Sequence, residues 1–227
     1  KRIPKSGAFI TISNHPLGGI DGMILMKLLL AQREDFKVIA NFLLQRIEPL
    51  HPYIMPVNPF EEHKEAQSSM KGIKDAILHL RDGKPLGIFP AGEVSTYREE
   101  RRIVDRPWDP AAMKLVQKAK VPVIPVYFHA KNSTFFYRLA SLSDVLRTAK
   151  LPSEMLSQKK RKIKVRIGNP IPVSDIEEIP TTEALTAFLR RKTYMLANAF
   201  EKKPFFKGIP KNIKLSLIHI SEPTRPY

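Results

Sequence analysis

A histidine and a carboxylate share one short turn in this chain, Ser13-Asn14-His15-Pro16-Leu17-Gly18-Gly19-Ile20-Asp21, directly after an apolar run over residues 8–13. An imidazole is the side chain most easily poised to take a proton near neutral pH, and a carboxylate beside it fixes the ring tautomer and stabilises the imidazolium. Farther on, Phe89-Pro90-Ala91-Gly92-Glu93-Val94-Ser95 brings a second carboxylate into a Pro- and Gly-bearing turn, again at the end of an apolar run, residues 85–89. Two such turns at the ends of two strands predict one site at one edge of an α/β sheet, with proton transfer as its chemistry. Blander readings exist for each piece. A histidine in a glycine-rich turn can be purely structural, and Phe-Pro-Ala-Gly is also an ordinary strand-to-turn transition. A metal site has less to stand on: His51, His63 or His79 would have to join His15 and Asp21, no His-Glu-x-x-His spacing occurs, and His63 and His79 are expected on a solvated helix face.

The elements that must hold these turns follow from hydrophobic periodicity and punctuation. Strands are predicted over residues 8–13, 36–41, 54–57, 85–89, 123–129 and 163–167, and helices over 19–32, 61–81, 110–120 and 181–202. Met70, Ile73, Ile77 and Leu80 recur at helical spacing, as do Ala112, Leu115, Val116 and Ala119. Asp109 before Pro110 reads as an N-cap followed by proline at the first helical position. The alternation of strands and helices predicts a layered α/β fold. Phe135, Phe136 and Tyr137, with Leu139, Leu142, Val145 and Leu146, are apolar enough for a helix facing acyl chains or a membrane, but core packing is the expected reading.

Composition narrows the classes. A chain of 227 residues with 43% hydrophobic content can bury one full core. It contains no cysteine, which excludes an acyl-cysteine intermediate, a thiolate metal site and a disulfide. No apolar run approaches bilayer-crossing length; the longest, residues 20–31, is interrupted by Asp21, Gly22 and Lys27. Lys and Arg number 38 against 22 Asp and Glu, a net charge of +16. The excess is densest late in the chain, at Lys159, Lys160, Arg161, Lys162, Lys164 and Arg166, then Arg190, Arg191 and Lys192, then Lys202, Lys203 and Lys207. Such a surface attracts nucleic acid, anionic lipid or an acidic carrier protein. Nucleic acid is not the expected partner, because no nucleic-acid fold signature accompanies the charge and the aromatic residues are not interleaved with it. Basic side chains near an anionic membrane contribute about 1 kcal/mol each, so peripheral attachment to such a surface is expected.

At the two turns and one further strand the chain resembles the lysophospholipid acyltransferase family, which includes the glycerol-3-phosphate and 1-acyl-glycerol-3-phosphate acyltransferases. Asn14, His15 and Asp21 match its first motif, Phe89, Pro90, Gly92 and Ser95 its third, and Val121-Pro122-Val123-Ile124-Pro125-Val126 its fourth, within residues 7–175. Departures are equally specific. Five residues separate His15 from Asp21, one more than in the family, and Gly18 and Gly19 can absorb the extra residue by adopting positive φ. Asn58 stands near the second motif's usual arginine, and Ala91, Glu93 and Val94 replace the third motif's Glu, Thr and Arg. Losing both arginines removes groups suited to bidentate phosphate recognition. The wording resembles the hemolysin-like branch, with its acyltransferases of bacterial aminolipids.

The resemblance implies a glycerolipid-acyltransferase-like fold with a central mixed sheet, in which residues 1–214 form the acyltransferase domain. An N-terminal piece is expected to be missing, and residues 215–227 resemble a translated sequencing adapter. His15 is expected to act as general base and Asp21 to orient it, without a cofactor, on a thioester of acyl carrier protein or coenzyme A. Backbone N–H groups of the Pro90–Gly92 turn, or the Asn14 side chain, are the expected oxyanion donors. Glu93 and Ser95, with Asn58 and Phe89, are expected to bind the lysolipid acceptor; Arg98, Arg101 and Arg102 are placed to hold its carboxylate or a phosphate, or else form an ordinary solvated cluster. The expected acceptor is a lyso-aminolipid and the expected place the cytoplasmic face of the inner membrane. A 1-acyl-glycerol-3-phosphate acyltransferase, or a non-catalytic basic domain binding membrane or nucleic acid, are the alternatives.

Overall fold

The computed structural model describes residues 2–41, 47–57, 66–99, 102–157 and 162–200. Asn58, His63, Arg101, the basic residues 159–161 and the segment 215–227 lie outside the described residues. In chain order the elements are β1 (Ile10–Ser13), α1 (Gly19–Leu30), β2 (Lys37–Asn41), β3 (Ile54–Val57), α2 (Ala66–Arg81), β4 (Leu86–Ile88), β5 (Tyr97–Glu99) and β6 (Arg102–Val104). They continue with α3 (Pro110–Ala119), β7 (Val123–His129), α4 (Thr134–Ala140), α5 (Asp144–Ser157), β8 (Lys164–Ile167), α6 (Val173–Glu177) and α7 (Thr182–Met195).

Six strands form one mixed sheet in the order β3-β2-β4-β1-β7-β8. All neighbours are parallel except β7 and β8. Strands at the centre of a parallel sheet are covered on both faces and so read as nearly continuous apolar runs. β1, Ile10-Thr11-Ile12-Ser13, is buried along its whole length. On one face Leu25, Met26 and Leu29 of α1 pack on Ile124, Val126 and Phe128 of β7. On the other, α2, α3 and α7 set Leu80, Met113, Val116 and Leu189 against Ile10, Ile12, Leu86 and Ile88. Gly87 leaves room for side chains packed on this face of the sheet: a Cβ there would lie 2.8 Å from Phe36 Cζ and 3.2 Å from Leu25 Cδ2 of α1. Asp109 caps α3 by accepting the Ala111 N–H at 2.7 Å, with Pro110 as the first helical residue.

The strand and helix pattern predicted for the sheet layer is present; α7 ends at Met195, and a 3-10 turn (Leu196–Ala199) follows it. Two features differ. The antiparallel hairpin β5–β6 was not anticipated as an element, and the apolar stretch from Phe135 to Leu146 is divided between two helices, α4 and α5, the second running on to Ser157. His79 also departs from expectation: it is buried rather than solvated, with Nε2 3.1 Å from the Pro85 carbonyl oxygen. Burial pushes its imidazole pKa down, which has a consequence for stability. A depressed histidine contributes fully above the ordinary value of about 6.5 and costs stability as the unfolded chain, but not the folded one, takes up the proton. Urea midpoints are therefore expected to fall between about pH 7 and 5, and to fall less in His79→Gln. An identical slope in the variant would remove His79 from the acid sensitivity.

Candidate active site

Strands β4, β1 and β7 lie side by side and parallel, so their carboxyl ends open on one edge of the sheet. The His15 turn leaves β1 there and the Phe89 turn leaves β4 beside it. The two rings meet, with centroids 4.4 Å apart and planes tilted by 36°. The turn after His15 closes tightly onto α1. Gly18 takes φ 77°, and a Cβ on it would come 3.0 Å from Val94 Cγ2, so glycine is required both by conformation and by space. Gly18 alone accommodates the extra residue of the turn, since Gly19 is already helical.

Asp21 is fully buried in the first turn of α1. Its Oδ2 accepts the Leu17 N–H at 2.7 Å and lies 3.2 Å from His15 Nδ1. That is ion-pair distance, though the ring nitrogen is not aimed along a straight hydrogen bond. Burial raises the Asp21 pKa; His15 and the Leu17 N–H pull it back, and nearby Asp105 adds to the rise. The positive end of α1 favours a carboxylate at this place. With Nδ1 turned to Asp21, Nε2 is the ring atom left for an incoming molecule, and no group among the described residues hydrogen-bonds it.

Beneath this pair sits a residue that motif reading missed. Asp105, fully buried just after β6, accepts the His15 N–H at 3.0 Å and the Ser95 hydroxyl on Oδ1, and the Trp108 indole N–H at 3.0 Å on Oδ2. Its own N–H donates to the Tyr194 hydroxyl at 2.8 Å. Arg190 reaches its carbonyl at 3.3 Å and stacks over the Tyr194 ring. The only hint in the sequence was an acid three residues before the single tryptophan.

Several residues expected at the substrate serve the frame instead. Asn14 is buried and pairs twice with Phe128 of β7: its Nδ2 donates to the carbonyl at 3.1 Å and its Oδ1 accepts the N–H at 2.7 Å. Ser95 is buried, its hydroxyl given to Asp105 and its N–H to the His15 carbonyl at 2.8 Å. In the next turn Pro90 has no N–H, its carbonyl accepts the Asp109 N–H, and the Gly92 N–H closes on the Phe89 carbonyl at 3.0 Å. The Ala91 N–H is the donor that remains to this turn.

Glu93 is not an isolated anion. Its Oε1 lies 3.4 Å from Arg106 Nη1 and its Oε2 accepts from Arg147 Nη2 of α5 at 2.9 Å. Val94, standing where the family places an arginine, is buried against Phe136, Tyr137 and Leu151. Arg98 is placed in β5 opposite Ile103. Tyr137 in turn accepts the Asn132 N–H at 3.0 Å, and burial pushes its phenol up to about 12. No cluster of three metal-ligating side chains occurs among the described residues, and no described helix is long and apolar enough to cross a membrane.

The family described as Acyltransferase matches residues 1–203. The chain belongs to that family. This acyltransferase is 30% identical over 204 residues to a lyso-glycine lipid O-acyltransferase of Bacteroides thetaiotaomicron, covering 86% of the chain and 72% of the relative. It is 28% identical over 203 residues to one of Phocaeicola vulgatus, covering 86% and 71%. Its fold is that of PlsC, the 1-acyl-sn-glycerophosphate acyltransferase of Thermotoga maritima, with a TM-score of 0.55 at 18% identity over 89% of this chain and 70% of the other. The acyltransferase thus shares a fold with an enzyme named for a phosphate-bearing acceptor and closer sequence kinship with enzymes named for an aminolipid.

Proposed function

We propose that this acyltransferase moves a fatty acyl group from the thioester of acyl carrier protein or coenzyme A to the chain hydroxyl of a lyso-aminolipid, an N-(3-hydroxyacyl) amino acid. His15 Nε2 takes the hydroxyl proton while Asp21 holds Nδ1–H and offsets the imidazolium charge. The freed oxygen attacks the thioester carbonyl, and the tetrahedral oxyanion is met by the Ala91 N–H. Collapse forms the ester, breaks the carbon–sulfur bond and returns the proton from His15 to the leaving thiolate. No cofactor or metal is needed for this sequence of steps. General-base action contributes a factor of about 10²–10⁴, so positioning of the two lipids supplies the rest.

The observation that carries the acceptor is Val94. A buried valine packed on Phe136 and Leu151 cannot supply the guanidinium fork that a phosphate headgroup would use at this position. The names of the two relatives support the same acceptor class. Glu93 carries less of this argument than its position in the sequence implied, because Arg106 and Arg147 hold its charge. Supplied with one acyl donor, the enzyme is expected to esterify a lyso-glycine or lyso-ornithine lipid in clear preference to lysophosphatidic acid. The reverse preference would replace the aminolipid reading while leaving acyl transfer intact.

A further inference from the structure

Helix α5 is inverted relative to an ordinary surface helix. Arg147 and Glu154, only 8% and 3% exposed, face the protein, while Val145 is 76% exposed and Leu156 63%. Residues 147 and 154 lie close together on one side of a helical wheel, and 145 and 156 lie close together on the opposite side. The inward charges are spent on structure: Arg147 binds Glu93, and Glu154 accepts the Ser133 N–H at 2.9 Å and its hydroxyl at 2.7 Å. Apolar groups outside and charges inside are the arrangement expected where the outside is not water.

The exposed apolar surface is concentrated here. Of eight large hydrophobic side chains exposed among the described residues, five are Phe135, Leu142, Val145, Leu146 and Leu156. The expectation that this stretch packs into the core holds only for Phe136 and Tyr137. The surrounding sequence is strongly cationic, with eight basic and two acidic side chains in residues 131–162. One of each sign, Arg147 and Glu154, is internal, which leaves seven basic side chains against Asp144, and the Lys150 ammonium lies 5.4 Å from the centroid of the Phe135 ring. The patch also adjoins the site: Leu151 on this helix packs with Val94 and approaches Gly18.

From this we infer that the outer face of α4–α5 is the surface by which the enzyme seats itself on an anionic lipid bilayer, apolar side chains entering the headgroup layer and the cationic rim meeting lipid phosphates. The inference rests on the lysolipid reading above for its biological sense, since an acceptor embedded in the bilayer then meets the sheet edge without leaving it. It moves the expected membrane contact away from the C-terminal basic residues alone. In the described part of that region Arg190 is bound to Asp105 and Tyr194, and Lys192 is half-buried over Phe188 with its amine pushed down by burial.

The test is flotation with phosphatidylglycerol–phosphatidylcholine vesicles at low and high salt, using the whole chain and the double variant Val145→Glu/Leu156→Glu. Both positions are exposed, so folding is expected to be unchanged by circular dichroism and melting. The variant should lose vesicle binding by about tenfold or more, because each substitution removes burial of a whole aliphatic side chain. Wild-type binding should persist in part at high salt. Turnover of a short-chain, monomeric lysolipid should stay unchanged while turnover of the vesicle-embedded acceptor drops. Equal flotation of variant and wild type would overturn the assignment. So would a variant that floats normally but loses only its response to acyl carrier protein, which would make the face a carrier dock. A wild-type dimer that the variant dissociates, with vesicle binding intact, would make it a contact between copies. Flotation is read without turnover, so failure of the acceptor assignment would not be mistaken for failure of the surface.

Discussion

His15→Ala is expected to lower kcat by about 10³-fold or more, equivalent to about 4 kcal/mol of barrier, with little change in melting. The ring lies at the open edge of the sheet and its removal uncovers one face of Phe89. Asp21→Asn is the sharper companion. The amide can still accept the Leu17 N–H, so the turn should survive, but it presents either a neutral oxygen or an N–H to Nδ1. A ring held in the wrong tautomer, or an imidazolium with no counter-charge, is expected to cost about 10²–10⁴ in kcat. Stability should move the other way. Burial already disfavours the charged carboxylate, so at neutral pH the neutral amide should hold or raise the melting temperature. Retention of more than about a tenth of wild-type activity by either variant would end the general-base reading, since that loss is only about 1.4 kcal/mol.

Asp105→Ala should be the most destabilising single substitution near the site, by roughly 3–5 kcal/mol. It strands three donors, the part-buried His15 N–H and the buried Ser95 hydroxyl and Trp108 indole, each worth about 1–3 kcal/mol when unsatisfied in the interior. Urea unfolding would measure this directly. Asp105→Asn keeps the shape and one good acceptor, so it should fold and still lower kcat with KM nearly unchanged, because the oxygen that sets the His15 backbone is perturbed. Trp108→Phe leaves the far oxygen without its donor and should cost about 1–3 kcal/mol without touching kcat. If Asp105→Asn and Trp108→Phe behave alike in kcat, Asp105 holds the fold and not the geometry of the base.

How much of this was legible in the sequence depends on the kind of signal each residue gives. β1, β4 and β7 are apolar runs bounded by turn residues, and the His15 and Phe89 turns follow the first two of them. Asp105 gave no comparable signal: it is one acid in a polar stretch, and its partners His15 and Tyr194 are brought to it by the sheet and by α7. Ser95 and Asn14 were legible as site residues but not in their roles, because a hydroxyl or amide reads the same whether it faces a substrate or a strand. The hairpin β5–β6 is too short and too charged for period-two reading to find. In α5 the periodicity is present and inverted, so the rule that apolar means inside pointed to the wrong face. The second-motif position, Asn58, lies outside the described residues.

The middle of the sheet has a consequence for how the enzyme comes into being. β1 precedes every other described strand, yet Asn14 is bound to Phe128, 114 residues away, and His15 to Asp105, 90 residues away. Both flanking strands of β1 arrive only after long intervening crossovers, so loop closure must be met in full before any of these bonds forms. A chain released before β7 has β1 with one edge unpaired, and unpaired apolar edges recruit other chains. The base and its carboxylate are neighbours in sequence, but the groups that fix their turn come from β7 and from Asp105, so refolding is expected to recover activity no earlier than the burial of β7.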